Sequence, residues 1–197
     1  MKLYSYVVEH EHGLSPNPSN GFCTLVHCKF NKSGKRRNIV EMANVGDWVL
    51  GTGGNSSESI GNGKIIYLMR IDEKISFKDF LNDTRFKGRK DQVDNGHGNT
   101  YALISEYYYY FGRNAINIPN EFLDFSLEKK GPGYRCDPSP NQIRLIVLWF
   151  ETNFSIGAHG TACRPIGDCE HSLDIACQPT CIQTSNKVTP LCKTEVC

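Results

Sequence analysis

The residues of this chain best suited to chemistry crowd into its first fifty positions. Asn17 sits between Pro16 and Pro18, and Cys23, Thr24, Cys28 and Lys29 follow within a segment that otherwise reads as buried strand. Asp47 lies in Gly46-Asp47-Trp48-Val49. A thiolate at Cys23 or Cys28, supported by Lys29 or His27, would be a nucleophile, because the thiolate rather than the thiol attacks. His12 and Asp47 would serve as acid and base. Each has a plainer alternative. Cys23 and Cys28 can be small core residues, since free cysteine is among the most buried types, and Asp47 can be a turn former bonded to nearby backbone. His10 and His12 fall on one face of a strand, as metal ligands do, with no third ligand beside them.

Other groups suit recognition better than catalysis. Lys32, Lys35, Arg36 and Arg37 share one loop, and Lys87, Arg89 and Lys90 share another; either can meet phosphate or simply be solvated. In Tyr107-Tyr108-Tyr109-Tyr110-Phe111, alternation puts Tyr107, Tyr109 and Phe111 on one face and Tyr108 and Tyr110 on the other. An aromatic face can stack on bases, at about 1–3 kcal/mol per base, or pack into a core. Gly51-Thr52-Gly53-Gly54 has the look of a phosphate cradle, but no helix and no Gly-Lys-Ser/Thr follow it, so it reads as a hairpin loop.

The nine cysteines are unevenly placed. Cys23, Cys28 and Cys136 lie in the body, whereas Cys163, Cys169, Cys177, Cys181, Cys192 and Cys197 fill the last stretch. That stretch is poor in large apolar residues, which places a boundary near Gly157, with residues 1–157 as one domain and 158–197 as a Cys-rich tail. Thiolates and imidazoles there suit zinc, drawn from Cys163, Cys169, Cys177 and Cys181 with His159 nearby, although no Cys-x-x-Cys pair occurs. The alternative is a poorly ordered extension.

These groups need a scaffold, and 197 residues suffice for one proper core. A net charge of +1 provides no global field toward a polyanion, so any such site is local. The apolar run Leu3–Val8 ends at Glu9-His10-Glu11-His12, too early for a secretory signal, and no span of about 18 apolar residues occurs. The reading is a cytoplasmic protein with reduced thiols.

Strands are expected over Leu3–Val8, Phe22–Cys28, Asp47–Thr52 and Lys64–Ile71, the last two forming a hairpin with a wide loop. A short helix capped by Ser76, with Asp79 at the capping-box position, follows. Then come a polar loop over 83–99, aromatic β-structure over Tyr101–Phe111 and a helix capped by Asn120. The strongest helix starts at Ser139-Pro140 and runs to about Asn153, apolar over most of its surface. The sum is an α+β fold: a curved, mostly antiparallel sheet or small barrel with packed helices.

Taken in order, Leu3-Tyr4-Ser5-Tyr6-Val7-Val8, Pro16-Asn17-Pro18, Cys23-Thr24-Leu25, Cys28-Lys29, Val45-Gly46-Asp47-Trp48-Val49 and Gly63-Lys64-Ile65-Ile66-Tyr67 resemble the nucleotide modification associated domain 2 family. Asp83-Thr84-Arg85-Phe86, Asn99-Thr100-Tyr101, Ile104-Ser105 and Tyr110-Phe111-Gly112 continue the likeness, which covers about residues 1–155. Glu9 to His12 stand where an Arg/Asp pair is more typical, and no proline follows Cys28-Lys29. The resemblance implies a bacterial or phage setting of DNA base modification. The Val-Gly-Asp-Trp-Val strand, Gly-rich turn and Gly-Lys-Ile-Ile-Tyr strand are also similar in layout to PUA-like domains, which include EVE and YTH modules.

Two functions follow. One is recognition of a modified base or nucleotide, with Trp48 or a tyrosine such as Tyr101 stacking, Asn17, Thr24 and Asn99 reading the base edge, and Lys29, Lys35, Arg36 and Arg37 near phosphate. The other is an enzyme acting on such a base, through a Cys nucleophile or through His12 and Asp47. No nucleophile–base–orienter set is legible, which favours recognition.

Overall fold

A computed structural model describes residues 1–26, 38–57, 59–94, 100–129, 131 and 133–162. The strands are β1 (Leu3–Val7), β2 (Asn17–Ser19), β3 (Phe22–Leu25), β4 (Trp48–Thr52), β5 (Lys64–Arg70), β6 (Glu73–Ser76), β7 (Tyr101–Ser105), β8 (Tyr108–Tyr110), β9 (Ile116–Asn117), β10 (Tyr134–Arg135) and β11 (Gly157–Ala158). The α-helices are α1 (Ile39–Met42), α2 (Phe77–Asn82) and α3 (Pro140–Asn153). The large sheet runs β10-β1-β4-β5-β8-β11, with β9 also paired to β5, and the small sheet runs β2-β3-β7-β6. All pairs are antiparallel except β1–β4 and β8–β11. The fold is α+β as expected, with two open sheets in place of a barrel.

Alternation along the strands sorts the core into layers. One face of the large sheet carries the rows Tyr4–Val49–Met69–Tyr108 and Tyr6–Gly51–Tyr67–Tyr110, set side by side by register. It packs against Cys23, Leu25 and Leu103 of the small sheet and against Ile39 and Val40 of α1. Gly51 is required in its row, because a Cβ there would run into the Tyr67 ring. The opposite face, with Leu3, Trp48, Leu50, Leu68 and Tyr109, receives Ile143, Ile146 and Phe150 of α3. Each such side chain contributes about 1.5–3 kcal/mol by leaving water. A third layer, Phe77, Phe80 and Phe86, covers Val26, Ala102 and Ile104 on the outer face of the small sheet.

Local signals act where they were read, with some shifts. Asn20 (φ 54°) and Gly21 (φ 79°) turn β2 into β3, the two-residue hairpin that favours Asn-Gly. Ser139 accepts from the Gln142 N–H while Gln142 accepts from the Ser139 N–H, and Pro140 starts α3. α3 is less buried than expected of a core helix, since Leu145 and Leu148 are exposed. Ser76 caps α2, and its hydroxyl meets the Asp79 carboxylate rather than the carboxylate meeting backbone. Asn120–Phe125 is a 3-10 helix with Pro119 at the cap position, not an α-helix capped by Asn120.

Tyr101–Phe111 is two strands in two sheets, because the chain turns at Glu106-Tyr107. The same corner takes β5 into β6, and Asp72 fastens both crossings. Its N–H donates to the Ile104 carbonyl at 2.9 Å, and its Oδ2 accepts from the N–H groups of Glu106 and Tyr107 at 2.8 and 3.1 Å. The boundary expected near Gly157 falls within β11, which pairs with β8. The Arg113 N–H bonds the Thr161 carbonyl, so body contacts continue to Thr161.

Candidate functional site

The 83–94 segment, expected to be a polar loop, folds down over the outer face of the small sheet and carries a buried polar cluster with it. Asp83 caps a 3-10 turn, Thr84–Phe86, by accepting from the Arg85 N–H. Phe86 then enters the core against Phe22 and Phe80. Three residues on, the Arg89 guanidinium lies over the Phe86 ring at 5.3 Å. Arg89 and Asp91 are both buried.

Register sets Asn17 opposite Thr24 on the β2–β3 hairpin, and both side chains meet this segment. Asn17 Nδ2 donates to Asp91 Oδ1 at 2.7 Å, and the Thr24 hydroxyl donates to Asp91 Oδ2. Arg89 Nε lies 3.2 Å from Asp91 Oδ1. Its two terminal nitrogens donate to the carbonyls of Ser19 and Asn17 at 2.7 and 2.8 Å, and one also reaches Thr24 Oγ1 at 2.7 Å. Asn17 Oδ1 accepts from Ser19 Oγ. Five polar residues thus bond one another across a turn and a hairpin. The polar atoms of Asn17 and Thr24 expected to read a base edge are engaged here instead.

Cys23 lies on the other face of β3 and has no exposed surface. Burial pushes its thiol well above the ordinary range; Arg89 opposes that shift, while Asp91 and Glu11 add to it. A thiol so held stays protonated and is a poor nucleophile. Burial likewise raises Tyr108, with Cys23 adding and Arg89 opposing. Glu11 is buried too, and its carboxylate accepts from the Gly13 N–H at 2.8 Å.

The remaining candidates lie apart from this cluster. Asp47 is a turn residue: its carboxylate accepts from the N–H groups of Lys2 and Asn44 at 2.8 and 3.1 Å. Trp48 is buried on the α3 face with Tyr107 edge-on at 5.8 Å, so its ring is covered. His12 is half-buried and stacks on His10 at 6.1 Å. Tyr101 is exposed, and Lys74 Nζ lies 4.7 Å from its ring centre while bonding the carbonyls that end α1. Of the second basic group, Arg89 is inside, whereas Lys87 and Lys90 are exposed. Cys28, Lys29, Lys35, Arg36, Arg37, Asn99, Cys163, Cys169, Cys177 and Cys181 lie outside the described residues.

Sequence reasoning missed Arg89, Asp91 and Glu11 as buried groups. The available signal was Phe86 three residues before Arg89, an apolar anchor within an otherwise polar stretch. Among the described residues no group of three or more His, Cys, Asp and Glu side chains could hold a metal ion, and no helix is long and apolar enough to cross a membrane.

The arrangement is a β2–β3 hairpin with its polar groups turned toward the Arg89–Asp91 segment. A family model described as nucleotide modification associated domain 2 matches residues 1–102 and 91–169. The chain belongs to this family. No curated protein and no solved structure matches. The family match takes in both the β2–β3 hairpin and the Arg89–Asp91 segment, so the buried cluster is part of the nucleotide modification associated domain itself.

Proposed function

We propose that this nucleotide modification associated domain recognises a modified base or nucleotide within a bacterial or phage DNA-modification system in the cytoplasm. The observation that carries the reading is the state of Cys23. The candidate nucleophile at the heart of the family-like segment is fully buried with a raised pKa. Asp47, the candidate base, holds a backbone turn. Chemistry on a base would then fall to Cys28 or His12. Recognition needs neither.

Tyr101 is the described candidate that offers an exposed ring, with a cation beside it. Lys29, Asn99 and the Lys35-Arg36-Arg37 run, outside the described residues, would supply edge and phosphate contacts. The PUA-like layout noted in the sequence supports a base-receiving pocket only by analogy of strand order. For the tail, a loosely attached extension is the favoured reading, and zinc held by Cys163, Cys169, Cys177 and Cys181 is the alternative. Metal analysis of protein purified without chelator decides between them: about one equivalent would establish zinc, and metal-free protein the extension.

The test of recognition is direct. Nucleosides released from the purified protein by heat are profiled by mass spectrometry. Oligonucleotides carrying the modified base so found are then titrated against their unmodified counterparts. Tighter binding of the modified form, with no turnover on prolonged incubation, is expected. Conversion of the base or nucleotide would establish the enzymatic alternative.

A further inference from the structure

α3 keeps one face in the core and turns a second, unusual face outward. Ile143, Ile146 and Phe150 are buried, whereas Leu145 and Leu148 are 53% and 58% exposed. At 100° per residue the exposed face is centred on Leu148, with Leu145 on one flank and Arg144 and Glu151 together on the other. Leu123 and Ile156, also exposed, belong to segments in contact with this helix layer: Phe122 meets Trp149 edge-on at 6.0 Å, and Phe154 lies 5.6 Å from Trp149. Four large apolar side chains are therefore open to water on the α3 side, away from the small sheet.

We propose that α3 is the centre of a two-fold interface with a second copy of this chain. Charges along the helix are arranged to complement those of a second copy. When two identical helices pack antiparallel about a two-fold axis, each flank faces the same flank of its partner, and residues equally far from the axis meet. Arg144 and Glu151 share a flank and are equidistant from a point between residues 147 and 148. Placing the axis there brings Arg144 of one copy to Glu151 of the other twice over, while Leu148 meets its own counterpart at the centre. A parallel pair would instead set this charged flank against the Leu145 flank of the partner and leave both charges unpaired, so the pattern selects the antiparallel, self-complementary arrangement. Glu151 keeps one oxygen on the Tyr107 hydroxyl, and that bond holds the carboxylate on the flank. Leu123 and Ile156 would extend the contact beyond the two helices, as an interface of standard size requires. Because the Asn17–Asp91 cluster lies on the small sheet, such a dimer leaves both copies of that region open.

The full chain is examined by sedimentation velocity across a range of concentrations, with circular dichroism confirming the fold of each variant. A concentration-dependent dimer is expected. Leu148→Glu should yield a folded monomer. Arg144→Glu and Glu151→Arg alone should each weaken association about tenfold, since two attractive pairs become repulsive. The double reversal should restore it. This rescue separates a specific pairing from apolar stickiness. A monomer at every concentration overturns the proposal. So do single reversals without effect, or cross-links from α3 to residues beyond 162 of the same chain.

Discussion

Arg89 and Asp91, two positions apart, face each other with Nε and Oδ1 separated by 3.2 Å, and their side chains are 2% and 0% exposed. A pair so deep is costly to dehydrate and is retained only if its remaining hydrogen-bonding positions are filled. They are filled here by Asn17, Thr24 and the carbonyls of Asn17 and Ser19.

Asp91→Ala should therefore destabilise the fold by roughly 3–5 kcal/mol, because Arg89 is left buried and uncompensated. The double change Arg89→Met with Asp91→Leu should recover part of that loss. Urea unfolding with a common slope checks both. A single-mutant loss below about 1 kcal/mol would place the pair with ordinary surface ion pairs.

Arg85 gives a pH-dependent contrast. It bridges Glu73 at 2.6 Å and Asp83 at 2.7 Å, and its hydrogen bonds hold both carboxyls below their usual range. A carboxyl depressed in the folded state stabilises above its unfolded pKa of about 4 and loses that contribution as pH falls through the lower folded value. Arg85→Gln should thus be less stable than the parent at pH 7, by under about 1 kcal/mol because the group is exposed. The two stability curves should converge below pH 4. A gap that persists in acid would point to packing of Arg85 on Phe22 and Phe86 instead.

Cys23→Ala should leave nucleotide binding intact and lower stability modestly, as expected of a small buried side chain. Native protein should also resist thiol reagents at this position. Rapid labelling of Cys23, or lost binding by a folded alanine variant, would return it to the site.

Replacing Lys35, Arg36 and Arg37 with alanine should weaken oligonucleotide binding and flatten its salt dependence, because fewer counterions are released. An unchanged slope would mean that the run is solvated and makes no phosphate contact.

Local rules carried much of the architecture. Ser139-Pro140 and Ser76 start helices because caps act within one turn, and strands β1, β4 and β5 follow their apolar runs closely. The split of Tyr101–Phe111 was hidden, since it depends on Asp72, some thirty residues upstream, accepting two backbone N–H groups. The buried cluster was hidden for a like reason. Arg89 beside Lys87 and Lys90 reads as a solvated run, and only the Asp91 carboxylate and the Asn17–Thr24 register turn it inward. The reactive look of Asn17 and Thr24 reflected an interior need for polar partners around one ion pair, whereas Cys23 is a small side chain buried in the apolar layer on the opposite face of β3.

The Asp72 corner couples the two sheets as a spine couples the leaves of a book, because β5–β6 and β7–β8 both cross there. Strand β2, at the far end of the small sheet's order, is the fore-edge. A hinge at this corner would move least around Ile71 and Glu106 and most at the β2–β3 hairpin. Arg89, bonded to the carbonyls of Asn17 and Ser19, ties this edge to the 83–94 segment on the outer face of the small sheet rather than to the large sheet.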